Sequence, residues 1–205
     1  MWQVSIAAIA SFCWASAALA QTAALRITHE APGGIVQPGQ TIAVTATLTW
    51  TEPMLFWRIE GDLTASPNSG AAANNAFGHP VTPAANTILD PGVPSGGSVL
   101  GVEVQSGVVP LFGPPYPAPW WPGAAGLRVL EFEWTAPLDP GPVEFNWIEQ
   151  GNSGPTFFIG LNPNAQTVPT TYVGATLTVV PAPSAGLALA AAGVAATGRR
   201  RRPSA

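Results

Sequence analysis

The sequence predicts an all-β chain: an antiparallel β-sandwich of about seven to eight short strands, with a signal helix before it and a short hydrophobic helix after it. Three observations predict this class. Apolar and polar residues alternate with period two in short runs, the spacing of a strand with one buried face. Turn signals built from the chain's 22 glycines and 23 prolines separate the runs. Between residues 21 and 180 there is no helical period, no βαβ alternation and no internal repeat.

The elements follow in order. Residues 1–20 read as a secretory signal peptide: 4–15 are mostly apolar, and Ala18-Leu19-Ala20 has the small-x-small form of a cleavage site, which makes Gln21 the first mature residue. Met1-Trp2-Gln3 carries no basic side chain. The one cysteine, Cys13, lies inside this segment, preceded by Ser11-Phe12 and not by the small pair of a lipidation site. The mature chain is therefore expected to hold no disulfide, no thiolate nucleophile and no cysteine zinc site.

Residues 24–29 set Leu25 and Ile27 against Arg26 and Thr28, a short strand. Gly33-Gly34 and Pro38-Gly39 mark turns. Thr41–Trp50 is the clearest strand, with Ile42, Val44, Ala46, Leu48 and Trp50 on one face and threonines on the other. Residues 54–63 continue as a strand with Leu55, Trp57, Ile59 and Leu63 expected inward. Residues 64–97 are mostly small and polar and read as a long loop with at most one short strand; loops this long are often functional. Residues 98–104 form a weak strand.

Residues 106–126 are dense in proline and hold Tyr116, Trp120 and Trp121. Leu130, Phe132 and Trp134 alternate with Glu131 and Glu133; Val143, Phe145 and Trp147 alternate with Glu144 and Asn146. The Asp139-Pro140-Gly141 turn between them predicts that these two runs pair as a hairpin. Residues 156–160 are a further short strand, and 172–180 the last, with Val173, Ala175, Leu177 and Val179 inward.

The end of the chain is of another kind. Val180-Pro181-Ala182-Pro183 leads into an uncharged run, 185–197, that includes Ala185, Leu187, Leu189 and Val194, and four arginines follow: Arg199, Arg200, Arg201 and Arg202. Thirteen helical residues reach only about 20 Å, short of the roughly 30 Å of a bilayer core. Arginines beside such a run stay cytoplasmic, so the segment is expected to pause in the inner membrane with the body outside.

This order of proline motif, hydrophobic helix and arginine block resembles the PEP-CTERM sorting signal of Gram-negative bacteria, with Ala182 where the family's name-motif has glutamate. The resemblance implies processing by a membrane-embedded exosortase and delivery to the cell surface or its exopolysaccharide matrix. It divides the chain into a signal peptide (1–20), a β-sandwich domain (21–180) and a sorting segment (181–205). Separately, Val36-Gln37-Pro38-Gly39-Gln40-Thr41-Ile42-Ala43-Val44 resembles the approach to an early strand of many bacterial immunoglobulin-like and cohesin-like sandwiches.

Charge narrows the function. The body carries Arg26, Arg58 and Arg128 against eleven acids, a formal charge of −8, which is unsuited to nucleic acid. His29 and His79 have no partner at metal-binding spacing, and no cofactor is expected. Gly151-Asn152-Ser153-Gly154 lacks the second glycine of a nucleophile elbow. The expectation is a non-catalytic structural or adhesive surface protein whose partners are the export machinery, an exosortase-like enzyme and exopolysaccharide. A second reading makes the body a carbohydrate-binding module that stacks sugar rings on Tyr116, Trp120 and Trp121; the plainer reading of the same residues is a lid folded back over the core. A third, a secreted hydrolase, would use Glu131, Glu133 and Glu144 as paired carboxylates; the same stripe fits a solvated hairpin face.

Overall fold

Strand pairing is organised around Thr41–Trp50, whose inward residues Val44, Ala46 and Leu48 are fully buried. The computed structural model describes residues 21–51, 54–78, 88–106, 126–151, 154–159 and 164–181. In chain order its elements are β1 (Ala23–His29), a 3-10 turn (Pro32–Gly34), β2 (Ile35–Val36), β3 (Thr41–Trp50), β4 (Met54–Ser66), β5 (Ala71–Ala76), β6 (Ile88–Asp90), β7 (Val93–Ser95), β8 (Ser98–Gln105), β9 (Leu127–Thr135), β10 (Gly141–Glu149), β11 (Thr156–Ile159), β12 (Gln166–Thr167), β13 (Thr170–Val173) and β14 (Ala175–Val179). The chain is an all-β sandwich in two layers. The expected N-terminal signal helix and C-terminal hydrophobic helix lie outside the described residues.

The first sheet has the order β13-β1-β3-β9-β5; the second has β12-β11-β4-β10-β14-β2, with β8 on the other edge of β4 and β6 and β7 on β8. Pairing is antiparallel except at the chain's two ends. There β1 runs parallel to β13, and β2 parallel to β14. The opening and closing segments thus travel side by side, and both pass from the first sheet to the second.

The core lies between the layers. Phe132 and Trp134 of the first sheet meet Phe145 of the second edge-on, at centroid distances of 6.4 and 5.4 Å. Toward the opposite end, Trp50 meets Phe157 at 5.5 Å and Phe56 at 5.8 Å. Edge-to-face and offset contacts of this kind add to the burial of the rings themselves.

Several expectations need correction. The runs ending in Thr135 and beginning at Gly141 do not form a hairpin: β9 lies in the first sheet and β10 in the second. Ala136 is tied to the β2–β3 turn through Gly39 N–H to Ala136 O and Ala136 N–H to Gln40 O. Pro137 and Pro140 offer no N–H for a ladder. The connection is therefore a crossover between layers. The described part of 64–97 is not mainly loop, since β4 extends to Ser66 and β5, β6 and β7 follow. Leu55 and Trp57 do not face the core. Thr156 pairs with Arg58 and Phe157 with Phe56, leaving Trp57 as an extra residue, a β-bulge that shifts the inward phase to Met54, Phe56, Ile59 and Leu63. Finally, the last strand is two strands, broken at Gly174.

Candidate functional site

The register defines two ends of the sandwich. At one end β3 stops at Trp50, β4 starts at Met54, β8 stops at Gln105 and β9 starts at Leu127. Segment 107–125 is attached to this end, through Ser106 and Gly126. At the other end lie Thr41, Ser66, Ala71, Thr135, Gly141 and Val179. β3 alone spans about 30 Å between them, at roughly 3.3 Å per residue.

The chain leaves the fold at this second end. β14 pairs with β10 from Phe145↔Ala175 to Gly141↔Val179, and with β2 through Thr178↔Ile35 and Val179↔Val36. Val180 N–H then donates to Val36 O at 3.0 Å. Leu177 and Val179 are buried between the layers. Pro181, which has no N–H to continue the ladder, is the next residue and the last one described. The motif expected at 180–183 therefore begins inside the last hydrogen bond of the sheet. Ala182, Pro183, the run with Ala185, Leu187, Leu189 and Val194, and Arg199, Arg200, Arg201 and Arg202 lie outside the described residues, as do Tyr116, Trp120, Trp121 and His79.

The carboxylates expected on one face are separated. Glu131 and Glu133 stand on the outer face of the first sheet, held by Arg128 at 3.2 Å and by Asn74 Nδ2 at 2.7 Å. Glu144 stands on the outer face of the second sheet, between Ser66 and Thr176. The full thickness of the core divides Glu144 from Glu131 and Glu133, so the three do not share one face. Among the described residues no group of three or more His, Cys, Asp or Glu is placed to hold a metal ion. Among them, too, no helix is long and apolar enough to cross a membrane.

A constellation that alternation alone did not reveal lies on the outer face of the second sheet. The bulge in β4 leaves two consecutive residues, Trp57 and Arg58, off the core face. Trp57 packs edge-on against Phe158 at 5.3 Å. Phe158 is buried yet stands outside the main core cluster, whereas its neighbour Phe157 belongs to it. Arg58 Nε and Nη2 each lie 3.0 Å from Glu103 Oε1, and Nη2 also pairs with Glu60. Beside them opens a groove of about 290 Å³, lined also by Gly154, Thr156 and Ala165. The sequence signal was present: the outward positions 58 and 60 keep period two with 62 and 64, while Phe56 keeps period two with Met54. Only an inserted residue satisfies both.

At the same end, Tyr172 of β13 donates its hydroxyl to Glu149 at the end of β10, joining the two sheets. Burial first, then the hydrogen bond to and the charge of Glu149, push the phenol's ionisation well above its ordinary range.

No protein-family model and no curated protein matches the chain. Solved structures are similar to it in fold. The seventh ScaB type I cohesin from Pseudobacteroides cellulosolvens is 10% identical, with a TM-score of 0.48, over 80% of this chain and 96% of that one. The second type II cohesin module of the ScaA scaffoldin of Acetivibrio cellulolyticus is 10% identical at 0.46, over 79% and 97%. The cohesin module of a family 33 glycoside hydrolase from Clostridium perfringens is 9% identical at 0.45, over 77% and 98%. At such identities and scores no residue role transfers from them.

Proposed function

We propose that this chain is an exported, non-catalytic β-sandwich, held briefly at the inner membrane by residues 181–205 and then released to the cell surface or its matrix. One observation carries the reading. β14 is paired on both edges and Val180 N–H is still bonded to Val36 O, so the sorting motif starts where the fold stops. Pro181, the last residue described, follows that hydrogen bond directly. During export the sandwich would stand on the membrane by the end that holds Val179, with the end carrying Ser106 and Gly126 about 30 Å farther out.

The test is mass spectrometry of the C-terminus of the protein recovered from surface and matrix fractions. The expected mature end falls at or just beyond Val180, without the arginines. Exported protein that still carries Arg199, Arg200, Arg201 and Arg202 would defeat the proposal.

The attachment of segment 107–125 to the outward end favours the second reading, in which Tyr116, Trp120 and Trp121 meet a polysaccharide away from the membrane. Its separate arm is the Trp120→Ala/Trp121→Ala double variant described below.

A further inference from the structure

We propose that the groove beside Trp57 binds a neutral saccharide, with the indole as the stacking surface and Arg58, Glu60 and Thr156 as the polar edge that orients the ring. The proposal does not depend on the sorting segment or on the residues of segment 107–125.

The argument starts with placement. A tryptophan on a strand of a sandwich normally serves the core, but the inward positions of this stretch are filled by Phe56 and Ile59. The bulge sets Trp57 off the core face, half-buried, with Phe158 against it edge-on at 5.3 Å. A ring braced in this way presents apolar area at little cost in side-chain freedom.

The polar groups are braced as well. Arg58 is held by Glu60 on its own strand and by Glu103 across the β4–β8 pair, so guanidinium and carboxylates are oriented before any ligand arrives. Thr156, opposite Arg58 across the β4–β11 pair, adds a hydroxyl. Fixed donors and acceptors beside an aromatic face match a pyranose, which has apolar C–H faces and a rim of hydroxyls. The volume of about 290 Å³ lies at the lower end of small-molecule sites, roughly 300 Å³ upward, a size suited to a single ring with its neighbours in solvent.

Charge chooses among saccharides. Arg58, the one cation among the described residues of the groove, faces two carboxylates, in a body of formal charge −8. A polyanionic chain would be repelled by this field, while a neutral polymer would not.

The experiment is affinity electrophoresis of the exported protein in gels containing hydroxyethyl cellulose, dextran, galactomannan or alginate. Retardation is expected with at least one of the three neutral polymers and not with alginate. Trp57→Ala should weaken that retardation by about tenfold or more, as truncation of a central aromatic contact does, and Arg58→Gln by a few-fold. Trp120→Ala/Trp121→Ala should leave it unchanged. Thermal melts of each variant guard against loss of fold; Arg58→Gln, at a half-exposed ion pair, is the variant that keeps the test decisive if Trp57→Ala unfolds. The proposal is overturned if no neutral polymer retards the folded protein, if alginate alone does, if retardation survives Arg58→Gln together with a folded Trp57→Ala, or if only the Trp120/Trp121 variant abolishes it. That last result would move binding to segment 107–125.

Discussion

Single residues carry the places where this sandwich departs from a plain alternating pattern. Gly61 is one: a Cβ there would sit 2.5 Å from the Trp147 indole, so the ring can lie this close to β4 only because the position is glycine. Tyr172 is another. Its phenol ionises well above the ordinary range because burial, and then Glu149, oppose the charged form. The unfolded chain's phenol ionises near pH 10, so above that pH the folded state holds a proton the unfolded state has lost. The contribution is complete below about pH 10 and falls away as pH rises further. The urea midpoint is expected to drop between about pH 10 and 12, and Tyr172→Phe to flatten that drop; an unchanged slope in the variant would refute the assignment. Period two in the sequence could not announce this pair, because Tyr172 and Glu149 lie on strands of different sheets.

Elements were legible where their two faces differ in chemistry. β3 alternates apolar residues with threonines, and every inward residue that its sequence nominates is buried. β5, with the sequence AAANNA, has no such contrast. It is a strand because its backbone pairs with β9, which composition cannot reveal. β4 was legible as a strand and correctly phased at Ile59 and Leu63, but misphased at Leu55 and Trp57, since a bulge inverts the side-chain phase. The break in the final strand did leave a trace: an isolated glycine in a strand pattern marks a bend or a close approach. At Gly174 a Cβ would come within 2.5 Å of Asn146 Oδ1 and 2.6 Å of the Phe145 carbonyl. The glycine lets the chain press against β10 as it passes from the first sheet to the second. Gly174→Ala is therefore expected to destabilise by about 1–3 kcal/mol, the usual range for overpacking. Chemical denaturation measures this directly, and a variant within about 0.3 kcal/mol of the parent would show that the crossover has slack.

At the scale of the molecule, the two ends of the sandwich serve different ends of the chain, and on the proposed function this limits where the tail could be cut. Leu177 and Val179 are buried, and β14 fills the space between β10 and β2. Burying two such side chains is worth about 1.5–3 kcal/mol each, and removing the strand would also bare two lines of ladder partners. A domain is marginally stable by only about 5–15 kcal/mol, so losing β14 consumes much of that margin. A chain truncated after Val180 should melt as cooperatively as the chain that retains 181–205. The chain ending at Gly174 should lose the cooperative transition or melt at least about 10 °C lower, since 1 kcal/mol shifts the midpoint of a domain this size by roughly 2–4 °C. Differential scanning calorimetry of the two truncations decides the matter. If the shorter chain melted like the longer one, β14 would be dispensable, and processing could fall upstream of Val180 without harm to the body. If the longer chain unfolded, the tail would belong to the fold and could not serve as a removable address.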